Sequence, residues 1–234
     1  MVELMVALLI GLFLMGGLMM LLQNNRKAFS GQSALAQLQD SERLAMSMMT
    51  GVIQQAGYFT DPTNNSPSTA LPAAAAFASG AGLAFAAGQG LTGATVSGSD
   101  VISTRYMTAS GDGILNCTGG SNGTGANFGY TNQFSVKKNA QNVWQLVCLR
   151  EDGNFYPLVN NVTKLTVLYG VSTSATNTTN VDTYQTAAQV TNWNNVISAS
   201  VTLTFTNPLY VAANPQGQPA TLTVQRYIAI MRQT

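Results

Sequence analysis

Residues 1–22 read MVELMVALLIGLFLMGGLMMLL, and the fold turns on this stretch. From Leu4 to Leu22, nineteen consecutive residues carry neither a charge nor a polar side chain. At about 1.5 Å of rise per residue, a helix over that run spans roughly 28 Å, close to the hydrocarbon thickness of a bilayer. One acid, Glu3, sits at its head. Nothing stops the helix at Leu22, since the first proline is Pro62. From Asn24 onward the pattern becomes amphipathic, with Ala28, Leu35, Leu38, Ala45, Met49, Val52 and Ala56 at helical spacing. One helix over residues 1–57 is expected, roughly 85 Å long if unbroken. Residues 1–22 would be apolar all round and residues 23–57 apolar on one face. Gly57 follows the last periodic residue as a C-cap, and Pro62 prevents continuation.

Such a helix needs lipid or copies of itself around its first half and a globular domain against its second. A cleaved signal peptide fits poorly, because no basic residue precedes the apolar core and no Ala-x-Ala site follows it. A single-span anchor carrying an extracytoplasmic binding domain remains an alternative on pattern alone.

The remaining residues, 58–234, read as one β-rich globular domain. Thr60 to Pro72 is turn-rich, and residues 71–98 form an Ala/Gly-rich stretch expected to lie as a loop over a sheet, with a short helix near Pro72–Ala78. From Asp100 the period changes to two. Strands are expected at Val101–Tyr106, Phe128–Val136, Val143–Leu149, Phe155–Leu158, Val162–Val171, Val196–Phe205 and Thr221–Met231. Glu151-Asp152-Gly153-Asn154 is a hairpin signal. A long helix followed by antiparallel strands indicates an α+β fold with the helix packed on an antiparallel sheet.

Composition narrows the function classes. Charged residues make up 8% of the 234 and the formal net charge is +1, which gives no broad attraction for nucleic acid. Histidine is absent, removing the commonest general base and metal ligand. Gly119-Gly120-Ser121-Asn122-Gly123 fits G-x-S-x-G but has no histidine to serve it. No glycine-rich loop ends in the Lys-Ser/Thr pair that a phosphate-binding loop needs. Asp112, Glu151 and Asp152 neighbour Gly113 and Gly153 and read as turn residues rather than a calcium site. No enzyme, cofactor or metal is expected. Asn64, Asn116, Asn122, Asn161 and Asn177 each begin an N-x-Ser/Thr sequon, read here as composition. Cys117 and Cys148 are the whole thiol inventory; in an oxidising compartment they most simply form one disulfide, and two free buried thiols are the alternative.

The residues VELMVALLIGL resemble the start of mature type IV pilins and pseudopilins. In that family a peptidase removes a short basic leader and the new N-terminal residue is methylated. An apolar helix with one glutamate near its start follows. Glu3 matches that glutamate and Val2 the residue before it. An acid at the mouth of an uninterrupted apolar helix is costly and rare, which makes the match specific. The chain departs from the family at its start, without a leader or a Gly before a cleavage point, so Met1 reads as an internal methionine and no processing site is assigned. Arg26 and Lys27, after the apolar run, would by themselves place the C-terminus in the cytoplasm. The family's basic leader reverses that orientation.

Later segments resemble the PilW-type minor pilins. The residues that carry this are Arg43 to Tyr58 (RLAMSMMTGVIQQAGY), Asp100-Val101-Ile102 leading to Arg105-Tyr106, Asn116-Cys117 and Leu146-Val147-Cys148. Pro157-Leu158-Val159 before Val162, Leu168-Tyr169-Gly170-Val171, Val181-Asp182-Thr183-Tyr184 and Trp193 to Val196 continue the series. The resemblance implies a structural subunit of a type IV pilus, assembly-initiating or the main repeating subunit. It implies pilin subunits as partners through the N-terminal helix, residence in the bacterial inner membrane before assembly, and an extracellular filament afterwards. Glu3 would direct packing against a neighbour's free amino terminus. Related pilins place a proline in the apolar half, where the helix loses its form in the filament. This chain has Gly11, Gly16 and Gly17 there, either close helix–helix contacts or the point of unwinding.

Overall fold

The computed structural model describes residues 2–174, 180–213, 215 and 217–231. α1 runs from Val2 to Gln54. It closes in a turn in which Gly57 takes φ +83°, a left-handed value that favours glycine. The chain divides into two units, Met1–Asp40 with Asn207–Ala220, and Ser41–Thr206 with Thr221–Thr234.

In the first unit every residue from Val2 to Ser30 is exposed, and the first buried side chain is Leu38. Asn207 is hydrogen-bonded to Pro219 and Ala220. The Asn207 amide donates to the Ala220 carbonyl at 3.0 Å, and its side-chain amide donates to the Pro219 carbonyl at 2.7 Å.

In the second unit the helix buries Ala45, Met46, Met49, Val52 and Ile53, an i, i+3/i+4 series that forms its apolar face. α2, Pro67–Ala70, is one turn capped by the Ser66 hydroxyl. Among the described residues nine strands then make two antiparallel sheets. The first is a meander of β1 Leu91–Val96, β2 Ser99–Thr108, β3 Phe128–Lys138, β4 Trp144–Arg150 and β5 Phe155–Asn160, in that order. The second contains β6 Val162–Val171, β7 Thr183–Gln185, β8 Val196–Thr206 and β9 Thr221–Ala229, in the order β7-β6-β8-β9. The sheets are joined at Ser99 and Asp100. The Ser99 hydroxyl accepts from the Leu165 amide at 3.0 Å, and the Asp100 carboxylate accepts from the Val167 amide at 2.8 Å. Ile102, Tyr106 and Phe134 of the first sheet and Leu165, Val167, Tyr169, Val201, Leu203 and Phe205 of the second are fully or nearly fully buried. Gly93 of β1 admits the Tyr169 ring, since a Cβ there would stand 2.0 Å from the phenol oxygen.

The α+β fold of a long N-terminal helix with antiparallel strands is what the structure shows. It differs from the sequence reading in detail. The strands form two sheets rather than one. Leu91–Val96, inside the Ala/Gly-rich stretch, is strand β1, and the short helix lies at Pro67–Ala70 rather than near Pro72–Ala78. β1 is an edge strand with weak alternation, held by its register on β2 from Leu91↔Thr104 to Val96↔Ser99. Its hairpin turn is Ser97-Gly98, both at positive φ. Ala74 and Phe85 form an isolated bridge, so the intervening stretch folds back on itself.

Candidate functional site

The residues singled out for assembly all lie on α1. Glu3 is the acid of its first turn, where the free amide groups of a helix start favour negative charge. Between Glu3 and Arg26 the helix carries no other charge, and its side chains are exposed; Phe13 keeps 85% of its surface. The helix is long and apolar enough to cross a membrane. At 100° per residue, Glu3, Ala7 and Gly11 follow one another at i, i+4 and i+8, while Gly17 falls about 40° from Glu3 on the side away from Gly11. Gly16 lies on the far side. Among the described residues a Cβ at Gly11, Gly16 or Gly17 would meet no atom within 4 Å beyond the helix's own backbone, so no tertiary contact there requires glycine. The backbone is helical through all of them.

In the second unit Cys117 and Cys148 form a disulfide, with Cα atoms 6.4 Å apart and both residues buried. It ties the 109–127 connection to β4. A buried polar chain supports it. The Asn132 side chain accepts from the Cys117 amide at 2.9 Å and donates to the Tyr106 hydroxyl at 3.2 Å, which donates to the Leu115 carbonyl at 2.7 Å. Burial pushes the Tyr106 phenol well above its ordinary range, so it remains a neutral donor. Asn116 and Asn122, two of the sequon asparagines, are buried here. Asn116 accepts from Thr118 and Gly120, Asn122 from Thr124, so both are buried turn-formers. Asn177 lies outside the described residues.

Arg105 is the second anchor, and sequence reading assigned it no role. It is buried, with no carboxylate partner among the described residues. Its guanidinium donates to the carbonyls of Gln89 (2.6 Å), Ala86 (2.7 Å), Leu71 (3.1 Å) and Pro72, and sits 4.8 Å from the Phe85 ring centroid. Burial lowers its pKa to about 10, which leaves it charged at neutral pH. Residues 71–90 are thereby fastened to β2. A lone arginine in the strand run Val101–Met107 was the available signal; its four partners sit up to 34 residues away in sequence.

The carboxylates at turns do not converge. Asp112 accepts from the amides of Ala109 and Ile114, Asp152 from the Asn154 amide and the Tyr156 hydroxyl, and Glu151 pairs with Arg150 at 2.8 Å. Among the described residues no three of His, Cys, Asp or Glu are grouped closely enough to hold a metal. Ser121 stands in an isolated bridge with Leu115.

Residues 133–227 match the family model for the type IV pilus-assembly protein W, less than half of the chain. The matched region takes in β4 to β8 and most of β9, and with them Leu146-Val147-Cys148, Pro157-Leu158-Val159 and Trp193 to Val196. Among solved structures, a type IV-like pilin from Thermus thermophilus is similar at 14% identity and a TM-score of 0.43, over 83% of this chain and 95% of that one. No curated protein matches the chain.

Proposed function

We propose that the protein is a structural subunit of a type IV pilus, a PilW-like pilin that polymerises through its N-terminal helix and acts as a minor subunit helping to initiate assembly. The observation that carries this is the pairing of a PilW match over residues 133–227 with an exposed apolar helix bearing one carboxylate, Glu3, at its head. Such a helix has two environments open to it, a bilayer before assembly and a bundle of like helices in a filament. Residues 2–22 would be the filament-core half. Burying an unpaired carboxylate among apolar helices costs several kcal/mol unless a cation meets it. Glu3 would therefore set the axial position of each subunit against a neighbour's amino terminus, and the small residues Ala7 and Gly11 along the same line would let that neighbour come close. In this reading the subunit is held in the inner membrane and then leaves it for the extracellular filament. No catalytic role is proposed.

The test is incorporation. Glu3→Ala and Glu3→Gln should leave the protein in the membrane fraction and reduce its amount in sheared filaments. Normal incorporation of both would overturn the role of Glu3. The abundance of the chain in purified filaments distinguishes a minor from a main subunit, and a chain found only in membranes favours the single-span binding domain.

A further inference from the structure

The outer face of the first sheet carries a small cleft of about 220 Å³ in which polar groups of both kinds meet an aromatic ring. Alternation along β3 puts Gln133, Ser135 and Lys137 on this face and sends Phe134 to the core. Ser135 lies opposite Val147 of β4 in the pairing. It is 5% exposed, and its hydroxyl has no hydrogen-bond partner among the described residues. A buried hydroxyl left unpaired is uncommon, and here it lies on the cleft's floor. Lys137 Nζ stands 3.3 Å from the centroid of the Phe155 ring, and the one ion pair among the described residues does not involve it. Asp100, also at the cleft, has both carboxylate oxygens engaged, accepting from the Thr95 hydroxyl and from the Val167 amide of the second sheet. The wall groups Lys137 and Asp100 cancel in formal charge. Donors and acceptors are therefore present together, beside Phe155 and Val101 as an apolar wall.

We propose that this cleft is a carbohydrate subsite that takes one neutral hexose unit. A pyranose ring presents hydroxyls that donate and accept at once, and a C–H face that packs on an aromatic ring. The cleft offers a hydroxyl at Ser135, an amide at Gln133 and an ammonium at Lys137, Phe155 supplies the ring, and Asp100, its oxygens already engaged, balances the charge of Lys137. A balanced lining gives a neutral ligand its bonds without leaving a charge unmatched. The volume is below that of a drug-sized pocket, which limits the occupant to a single ring. On entry, Lys137 would leave the Phe155 face and turn its three donors to ring hydroxyls, while the sugar takes its place on the ring. This site is separate from the N-terminal helix and does not depend on the filament reading.

The experiment is saturation-transfer NMR on the full chain in a zwitterionic detergent, because a maltoside would compete. The probes are methyl α-glucopyranoside, methyl β-galactopyranoside and sodium glucuronate at millimolar concentration. At least one neutral glycoside should take up saturation. Ser135→Val, which fills the floor with a strand-compatible side chain, should abolish it, and Lys137→Ala should weaken binding about tenfold. Circular dichroism melting checks that both variants are folded. No transfer from either glycoside, transfer unchanged in both variants, or binding of glucuronate alone would overturn the proposal.

Discussion

Replacing Arg105 by Met keeps most of the side-chain volume and removes the charge with its four donated hydrogen bonds. In the native state those bonds hold the carbonyls of Leu71, Pro72, Ala86 and Gln89, and the guanidinium also lies against Phe85. A hydrogen bond to a charged group contributes about 1.5–3 kcal/mol net. Four cannot be summed, because burying the guanidinium itself costs several kcal/mol and carbonyls released at a loop turn to water. Disrupting a buried charged network typically costs about 3–5 kcal/mol, and that is the expected loss here. For a chain of this size it corresponds to a fall of roughly 6–20 °C in melting midpoint. Arg105→Lys keeps the charge but presents it as a point with three donors, so it should fall between Met and wild type. The assay pairs denaturant unfolding of the full chain with hydrogen exchange resolved to residues 71–90. If Arg105→Met unfolds at the wild-type midpoint with those residues as well protected as before, the anchoring argument is wrong.

Further expectations follow from the same structure. The disulfide is buried at both ends, so a reductant should reach Cys117–Cys148 only after unfolding; peptide mapping of native, reductant-treated protein should still show the linked pair. The Cys117→Ala, Cys148→Ala double variant should lose about 3–4 kcal/mol by denaturant titration, from the loop of 31 residues it no longer closes. With no histidine and no free thiol, the melting midpoint should be flat from about pH 5.5 to 9 and fall below about pH 4. Asp152 and Asp182 accept hydrogen bonds that hold their pKa below the ordinary 3.8, so the unfolded chain binds more protons there and acid removes their contribution. Glu42, raised by burial, opposes them in part, and Glu42→Gln should steepen the acid loss. Gly16→Ala with Gly17→Ala should make the apolar helix more persistent in micelles, by about 1 kcal/mol per site, read by hydrogen exchange. If unwinding near Leu14–Met19 belongs to assembly, the same variant should incorporate poorly; a filament map showing unbroken helix there would leave the glycines a packing role only.

The chain's local patterns already contain much of the fold. Nineteen apolar residues after Glu3 followed by an apolar face every three or four residues can only be one long helix, and period-two runs after Asp100 can only be strands. Those signals are local: each is set by neighbours along the chain. The rest is set by register between distant residues. β1 is a strand because β2 pairs with it, not because LTGATV alternates strongly. The strands part into two sheets where Asn161 takes φ +65° between β5 and β6. Arg105 is an anchor because the carbonyls of residues 71–89 curl around it, and Ser135, Lys137 and Phe155 share a cleft because β3, β4 and β5 lie side by side. No periodicity reports such meetings, since hydrogen bonds and packing between segments depend on which strands pair and how far each slides. The helix that proposes the filament was legible from residues alone; the surfaces that give the globular unit its chemistry exist only once the sheets have formed.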